Sequence, residues 1–326
     1  HTQYVRGGIW KPRTRPGNFE GHGEKALQWV NRLKKEHPFS FATEVATTEH
    51  VELAMKYNVD MVWLGARTTV NPFQISELAE ALQGTNIPVL IKNPIHPEIA
   101  LWKGAIERFK KAGIQRLAAV HRGFHTFSKT NYRNSPLWQI PLDLKREFPD
   151  LPLLCDPSHI AGQRKWVASV SQQALDLNYD GLMVEVHSHP KLAKSDPDQQ
   201  LDPAAFIQLL EGLQKRSENF EGALVQSQLE VLREAIDQSD QQWLHALAAR
   251  MRSVNLIGKV KEAHNVAIFQ PERWATIFES RKEWAADLGL NVEFTSKLLS
   301  HIHEESVKLQ TEIFQEAKES TKMHDE

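Results

Sequence analysis

The chain has 326 residues, with 39 Lys plus Arg against 41 Asp plus Glu and one cysteine. This length suits two domains. Because the charges nearly balance, the composition shows no charge excess of the kind that indicates nucleic-acid or membrane binding. A single cysteine excludes an internal disulfide framework and no apolar run could span a bilayer, so we predict a cytoplasmic protein without nucleic-acid or membrane partners.

Short runs of β-branched and apolar residues recur through the first two-thirds of the chain. Amphipathic stretches such as 24–35 and 100–113 lie between these runs. This alternation predicts βαβ units and therefore parallel strands. The seven runs are residues 3–8, 39–45, 61–67, 88–93, 116–122, 152–159 and 181–187.

A closed barrel of parallel strands needs eight strands, and a seven-strand remnant would leave two unpaired edges. We therefore predict an α/β (β/α)8 TIM barrel over residues 1–213 whose first βα unit is absent from this sequence. The chain also opens with His1 instead of Met, so we expect that its natural N-terminus lies upstream. A doubly wound open sheet is the competing architecture. No glycine-rich dinucleotide fingerprint follows any of the runs, which favours the barrel.

The pattern changes after the seventh run. Residues 214–225 are polar and predict a linker, and residues 226–326 show only helical periodicity, punctuated by Pro271 and Gly289. This predicts an all-α domain of three helices. Its first predicted helix is longer than a single globular core can cover, so we expect a homodimer through the helical domain. The apolar stripe of that helix is Leu229, Leu232, Ile236, Trp243, Leu247, Met251 and Val254.

Cationic residues stand at or just after the ends of the predicted strands. The active site of a parallel barrel lies at the carboxyl ends of its strands, so these side chains should converge on one mouth. Converging like charges need anions to neutralise them, which indicates substrates with phosphate or carboxylate groups. The cations are Arg6, Lys11, Arg13, Arg67, Lys92 and Arg122.

Three residues with metal-ligand chemistry share this predicted rim, namely His159, Glu185 and Asp196. One imidazole and two carboxylates suit one divalent ion of manganese, iron, cobalt or zinc, and no organic cofactor is implied. Each residue also has a structural interpretation when taken alone. His159 could be a packed histidine, and Asp196 could be a turn residue.

The helical region carries its own set of polar residues. Arg250 and Lys261 are eleven residues apart and project from one face of a helix, whereas Arg233, seventeen residues before Arg250, points about 100° away. Surface charge is the alternative interpretation for each of them. The remaining candidates are Arg273, which follows Gln270 at i, i+3, and Ser306 with Gln310 at i, i+4.

The ordered motifs RGGIWKPRTRP, GAR, LIKN, HRGFHT, DPSH, GLMVEVH and SDPDQQLDP resemble the 3-deoxy-D-arabino-heptulosonate 7-phosphate synthases of the short, type I beta subtype. The resemblance implies condensation of phosphoenolpyruvate with erythrose 4-phosphate. It implies that His159, Glu185 and Asp196 ligate the metal. Phosphoenolpyruvate would be held by Arg6, Lys11, Arg67, Lys92 and Arg122, with Lys11 also catalytic, and erythrose 4-phosphate by Arg13 and Thr14.

The family's fourth metal ligand is a cysteine in a glycine-proline-cysteine turn of the first strand, and this sequence lacks that turn. Synthase turnover is therefore expected to require the absent first unit.

The motifs LREAID, ARMRSVNLIGKVK, QPER and ESVKLQ resemble the all-helical chorismate mutases over about residues 226–314. The resemblance implies rearrangement of chorismate to prephenate without a metal. Trp274 departs from the family, where a glutamate that contacts the substrate hydroxyl is common at this position. The implied catalytic residues are Arg250, Lys261, Arg273, Gln270, Ser306 and Gln310, with Arg233 reaching the partner's site.

Three alternatives remain at this point. The helical domain could only dimerise and sense chorismate or prephenate for feedback control, as Trp274 suggests. The barrel could make a different keto-sugar acid phosphate, although KPRT and the metal trio argue against this. A pure binding protein would leave the strand-end cations without a use.

Overall fold

The computed structural model describes residues 2–12, 17–127, 130–217 and 223–324. Two of the predicted substrate-binding residues, Arg13 and Thr14, lie outside the described residues. The chain divides into two compact units, His1–Glu218 and Asn219–Glu326.

Among the described residues of the first unit, seven parallel strands form one sheet and follow one another in chain order. A doubly wound sheet reverses its strand order near the middle, and this sheet does not. The predicted barrel architecture, with seven of its eight strands, is thus confirmed. The last strand is shorter than predicted, although Val186 forms a further isolated bridge to Leu201. The strands are β1 (Tyr4–Gly7), β2 (Ser40–Glu44), β3 (Met61–Leu64), β4 (Val89–Lys92), β5 (Leu117–His121), β6 (Leu153–Cys155) and β7 (Gly181–Leu182).

Helices connect these strands and cover one face of the sheet. In the helix Ile99–Lys111, the buried residues Trp102, Ala105, Ile106 and Phe109 recur at the spacing of one helical face. The helices of this unit are α1 (Glu24–Glu36), α2 (Thr48–Lys56), α3 (Ala66–Thr69), α4 (Pro72–Ala81), α5 (Ile99–Lys111), α6 (Gln139–Glu147), α7 (Pro157–Ala161), α8 (Arg164–Asp176) and α9 (Pro203–Gly212).

Both faces of the sheet are buried. Val62 and Leu64 on β3 belong to the large core shared with the helices, whereas Trp63 between them belongs to a smaller cluster on the opposite face. Alternate residues of a strand point to opposite faces, so a strand that is apolar at every position is buried on both. This places the smaller cluster inside the curved sheet, next to the strand ends that carry the polar residues.

The second unit consists of three helices, as predicted: α10 (Ala223–Ala263), α11 (Pro271–Asp287) and α12 (Val292–His324). Helices α10 and α12 approach closely at Gly258, where a Cβ atom would lie 2.7 Å from Cδ1 of Ile313. The glycine thus lets the two helices pack. Pro271 opens α11, and Gly289, with a φ of 69°, follows its end.

Helix α10 has 41 residues and is about 60 Å long at 1.5 Å per residue. Its predicted apolar stripe is covered only toward the C-terminal end. Val254 is 8% exposed, but Leu232 and Ile236 are 61% and 58% exposed. In the part of the chain that the structure describes, no helix is both long enough and apolar enough to cross a membrane.

Candidate functional sites

A buried carboxylate lies at the centre of the polar residues in the first unit. Asp156 follows β6 and caps α7 by accepting a hydrogen bond from the backbone N–H of His159. Its Oδ2 lies 2.8 Å from Nζ of Lys92 and 2.9 Å from Nδ1 of His159. Burial alone would raise the pKa of Asp156, but His159, Lys92 and Arg6 outweigh it and hold the pKa well below its usual range. Asp156 is therefore a fixed negative charge that positions its neighbours.

Arg6, near the end of β1, is a cation with buried hydrogen-bond donors that have no partner among the described residues. Its Nη2 lies 3.6 Å from Oε1 of Glu185 and 3.8 Å from Oδ2 of Asp156. Its Nε and Nη2 atoms are buried and have no hydrogen-bond partner among the described residues. Buried polar atoms are nearly always paired, so these donors indicate a site for an anionic ligand.

Two adjoining cavities, of about 400 Å³ and about 570 Å³, open at this end of the sheet. Arg6 lines the first cavity, Arg67 and Arg122 line the second, and Lys11 and Lys92 line both. The structure thus brings five of the six predicted strand-end cations together. Among the described residues that line the second cavity, five are cationic and two, Glu44 and Asp196, are carboxylates, so this space is positively charged.

Arg122 shows how strongly this region is desolvated. Its Nη1 donates to Oδ1 of Asn134 over 2.8 Å. Burial lowers the pKa of its guanidinium to about 10, and the nearby charges of Arg133 and Arg67 act in the same direction. A bound phosphate or carboxylate would offset this loss of solvation.

The three predicted metal ligands line the first cavity, but they are not gathered around one point. No group of three His, Cys, Asp or Glu side chains among the described residues is placed to hold a metal ion. Asp196 accepts a hydrogen bond from Arg133 over 2.7 Å, and Glu185 accepts one from Gln199 over 2.6 Å. Both carboxylates are thus engaged by protein side chains, and the metal role of the three residues stays a prediction.

Several residues of this site were not predicted from the sequence. The sequence at Asp156 does indicate a local role, because an aspartate before a proline is typical of a helix start. The sequence gives no such indication at Arg133, Gln199 and Glu44. Arg133 and Gln199 lie in loops, and Glu44 ends a strand without any motif that marks it.

A second group of polar residues lies in the helical unit. Nη1 of Arg250 donates to Oγ of Ser306 over 2.8 Å, and Nζ of Lys261 donates to the carbonyl of Ile268 over 2.6 Å. Ser306 and Gln310 are 4% and 7% exposed. Burial lowers the pKa of both Arg250 and Lys261. These partly desolvated cations would be stabilised by an anionic ligand.

The other predicted residues of the helical unit are exposed. Gln270 and Arg273 stand at the start of α11, and Arg233 lies about 26 Å from Arg250 along α10. Arg233 therefore does not meet the others within one chain. One residue was missed: His303, whose ring stacks on Trp274 with centroids 3.7 Å apart.

These features define an α/β barrel unit with a cation-lined mouth at its strand ends, followed by a separate unit in which three helices are described. Residues 2–221, about two thirds of the chain, match the family model described as the DAHP synthetase I family, and the chain belongs to that family. Residues 232–311 match the model described as chorismate mutase type II.

Several known proteins are similar to parts of the chain. The chain is 31% identical over 211 residues to a phospho-2-dehydro-3-deoxyheptonate aldolase of Thermotoga maritima, covering 65% of this chain and 60% of the relative. A crystal structure of that Thermotoga maritima enzyme matches with a TM-score of 0.57 at 30% identity, over 64% of this chain and 59% of that one. A T-protein of Enterobacter agglomerans is 34% identical over 80 residues, or 24% of this chain and 21% of the relative. The chain thus spans about three-fifths of the aldolase it matches.

Proposed function

We propose that the chain is a bifunctional enzyme with a synthase barrel over residues 1–213, a linker over 214–225 and a mutase domain over 226–326. The barrel condenses phosphoenolpyruvate with erythrose 4-phosphate to 3-deoxy-D-arabino-heptulosonate 7-phosphate and phosphate. The helical domain rearranges chorismate to prephenate. We place the enzyme in the cytoplasm, which its single, buried cysteine supports.

In the barrel, C3 of phosphoenolpyruvate attacks the aldehyde carbon of erythrose 4-phosphate, water adds at C2, and phosphate leaves. The protein must hold two anionic substrates close together and offset the charge that builds on them. Arg6, with its unpaired buried donors, lines the first of the adjoining cavities, Arg67 and Arg122 line the second, and Lys92 lines both. This convergence of cations is the observation that carries the proposal.

In the helical domain, the reaction is unimolecular and needs neither a nucleophile nor a metal. The protein must bind the folded conformer of chorismate and stabilise the negative charge that develops on its ether oxygen. Arg250 is oriented by Ser306, and Lys261 is anchored by a backbone carbonyl. Two oriented, partly desolvated cations suit a dicarboxylate such as chorismate. Assays of phosphoenolpyruvate consumption and of chorismate disappearance on one preparation test the two activities.

A helical domain that only senses chorismate or prephenate is the second candidate function. Trp274 favours it, because a tryptophan stands where the resemblance expects a glutamate. In that case, chorismate binds to the purified chain but is not converted, and its binding changes the affinity for phosphoenolpyruvate. The coupling must be reciprocal between the two ligands.

Chelation should separate the two activities. We propose, from the family resemblance, that the synthase reaction needs a divalent ion held by His159, Glu185 and Asp196, whereas the mutase reaction needs none. In a chain extended by the first βα unit that the sequence leads us to expect, treatment with EDTA followed by dialysis should abolish phosphoenolpyruvate consumption, and added Mn²⁺ should restore it. Chorismate conversion should stay constant throughout. Equal loss of both activities would contradict a metal-free second site.

We also propose a homodimer through the helical domain, in which Arg233 of one protomer completes the partner's site. The exposed Leu232 and Ile236 beside Arg233 supply an apolar surface for such a contact. Mixing an Arg233→Ala chain with an Arg250→Ala chain should then restore one intact site per heterodimer, and thus up to about half the normal mutase activity per dimer.

This complementation experiment requires proof of subunit exchange, for example by native mass spectrometry of chains that differ in a tag. Each variant alone should be inactive. Heterodimers that form and remain inactive would show that Arg233 does not act across the interface.

A further inference from the structure

His303 lies on α12, three residues before Ser306 and therefore on the same side of the helix. Its imidazole stacks on Trp274 with an interplanar angle of 17° and contacts the ring of Phe269 at 6.0 Å between centroids. Trp274 directly follows Arg273, and Phe269 directly precedes Gln270. His303 is thus packed beside residues proposed to bind chorismate.

The Nε2 atom of His303 is buried and has no hydrogen-bond partner within the described part of the chain. The buried Oε1 of Gln310, two turns further along α12, is also unpaired. Leaving a buried polar atom unpaired is costly, and such atoms in a native fold call for an explanation. Two of them beside the Arg250–Ser306 pair indicate that a ligand with hydrogen-bonding groups occupies this space.

The surroundings of His303 favour its neutral form. Burial lowers the pKa of the imidazole, the charges of Arg250 and Lys261 lower it further, and Glu304 opposes them. A neutral imidazole can donate or accept one hydrogen bond at Nε2, depending on its tautomer. It therefore suits an uncharged hydroxyl better than a carboxylate, which the cations are there to bind.

We propose that His303 binds the ring hydroxyl of chorismate through Nε2, while Trp274 fixes the orientation of its ring; this rests on the proposed mutase function. The carboxylates and the ether oxygen of chorismate are matched by Arg250, Lys261 and Arg273. The hydroxyl is the polar group that these cations leave without a partner. Trp274 cannot accept a hydrogen bond from it, because an indole has only a donor. His303 thus takes over the contact that a glutamate at position 274 would make.

The test compares two variants and two substrates. His303→Phe keeps a ring that can stack on Trp274 but removes Nε2, and His303→Gln replaces Nε2 with an amide. The substrates are chorismate and an analogue in which hydrogen replaces the ring hydroxyl. His303→Phe should lower kcat/KM for chorismate about 10-fold, as expected for one lost hydrogen bond, and His303→Gln should recover part of this loss. With the analogue, the wild type and both variants should agree within about 2-fold.

His301→Phe is the matched control, because His301 is 77% exposed on the same helix and should leave both substrates unaffected. Melting temperatures of all variants identify any that fold poorly. If His303→Phe weakens turnover of both substrates equally, or of neither, the hydroxyl contact is wrong. A wild-type chain that binds but does not convert chorismate overturns the mutase proposal itself, and the role of His303 falls with it.

Discussion

Replacing Arg250 with alanine should lower kcat/KM for chorismate by about 10²–10³-fold, the usual effect of removing one donor from a site that stabilises developing negative charge. Arg250 is partly desolvated and is oriented by Ser306, so its charge is already aimed before the substrate arrives. Interactions that strengthen toward the transition state affect kcat more than KM. We therefore expect most of the loss in kcat.

Arg252→Ala is the matched control for this variant. Arg252 lies two residues further along α10 and is exposed, so its removal should change kcat/KM by less than about 2-fold, in line with the small effects of surface substitutions. A similar loss in both variants would mean that net charge, and not the position of Arg250, governs the reaction. A loss confined to KM would instead indicate a binding site that does not stabilise the transition state.

Replacing Lys92 with methionine should destabilise the barrel by about 3–5 kcal/mol, because it leaves the Asp156 carboxylate buried without its closest cation. Lys92 is 5% exposed and Asp156 is fully buried. Arg6 is farther from Asp156 and does not replace the lost contact. The free energy of unfolding, measured by urea titration, reports the effect, and hydrogen exchange of barrel peptides assigns it to this unit.

Two further variants separate charge from packing. Adding Asp156→Asn to Lys92→Met removes the uncompensated charge and keeps a helix-capping residue, so the double variant should be more stable than Lys92→Met alone. Lys56→Met breaks the exposed ion pair with Glu24 and should leave the free energy of unfolding nearly unchanged. If the double variant is the less stable one, Lys92 stabilises the barrel through packing and not through its charge.

The architecture of the first unit could be predicted because apolar residues recur with a different period in its strands and in its helices. Alternating short apolar runs and amphipathic stretches determine parallel strands with helical crossovers, and the four buried residues of α5 illustrate how directly the pattern translates into a helix face. The prediction was least accurate for the seventh strand. Its run 181–187 is apolar enough for a full strand, but only Gly181 and Leu182 pair with β6, since pairing depends on the neighbouring strand and not on the run itself.

The type of site could be predicted from the sequence, but the contacts between its residues could not. Topology alone brings strand-end residues together, which is why Arg6, Lys92 and Arg122 could be predicted to share one mouth. The pairing among them depends on loops. Arg133 reaches Asp196 across 63 residues of chain, and nothing in the local sequence of either residue indicates this. The relative placement of His159, Glu185 and Asp196 depends on such loop conformations and therefore could not be derived.

The helical unit shows a different limit. Periodicity predicts which face of α10 is apolar, but not what covers it. Within one chain, α12 covers Val254 but leaves Leu232 exposed. His303 also could not be predicted as a site residue, because the sequence does not show that the histidine three residues before Ser306 packs against Trp274.

We expect the chain to carry two independent anion-binding sites, one in each unit. The most direct measurement determines phosphoenolpyruvate affinity by calorimetry and chorismate turnover by absorbance on the wild type, Lys92→Met and Arg250→Ala. Lys92→Met should weaken phosphoenolpyruvate binding and leave mutase kcat/KM within about 2-fold, and Arg250→Ala should do the reverse, since sites without shared partners behave additively. A wild type that neither binds phosphoenolpyruvate nor converts chorismate, or a single substitution that abolishes both properties in a folded chain, would contradict it.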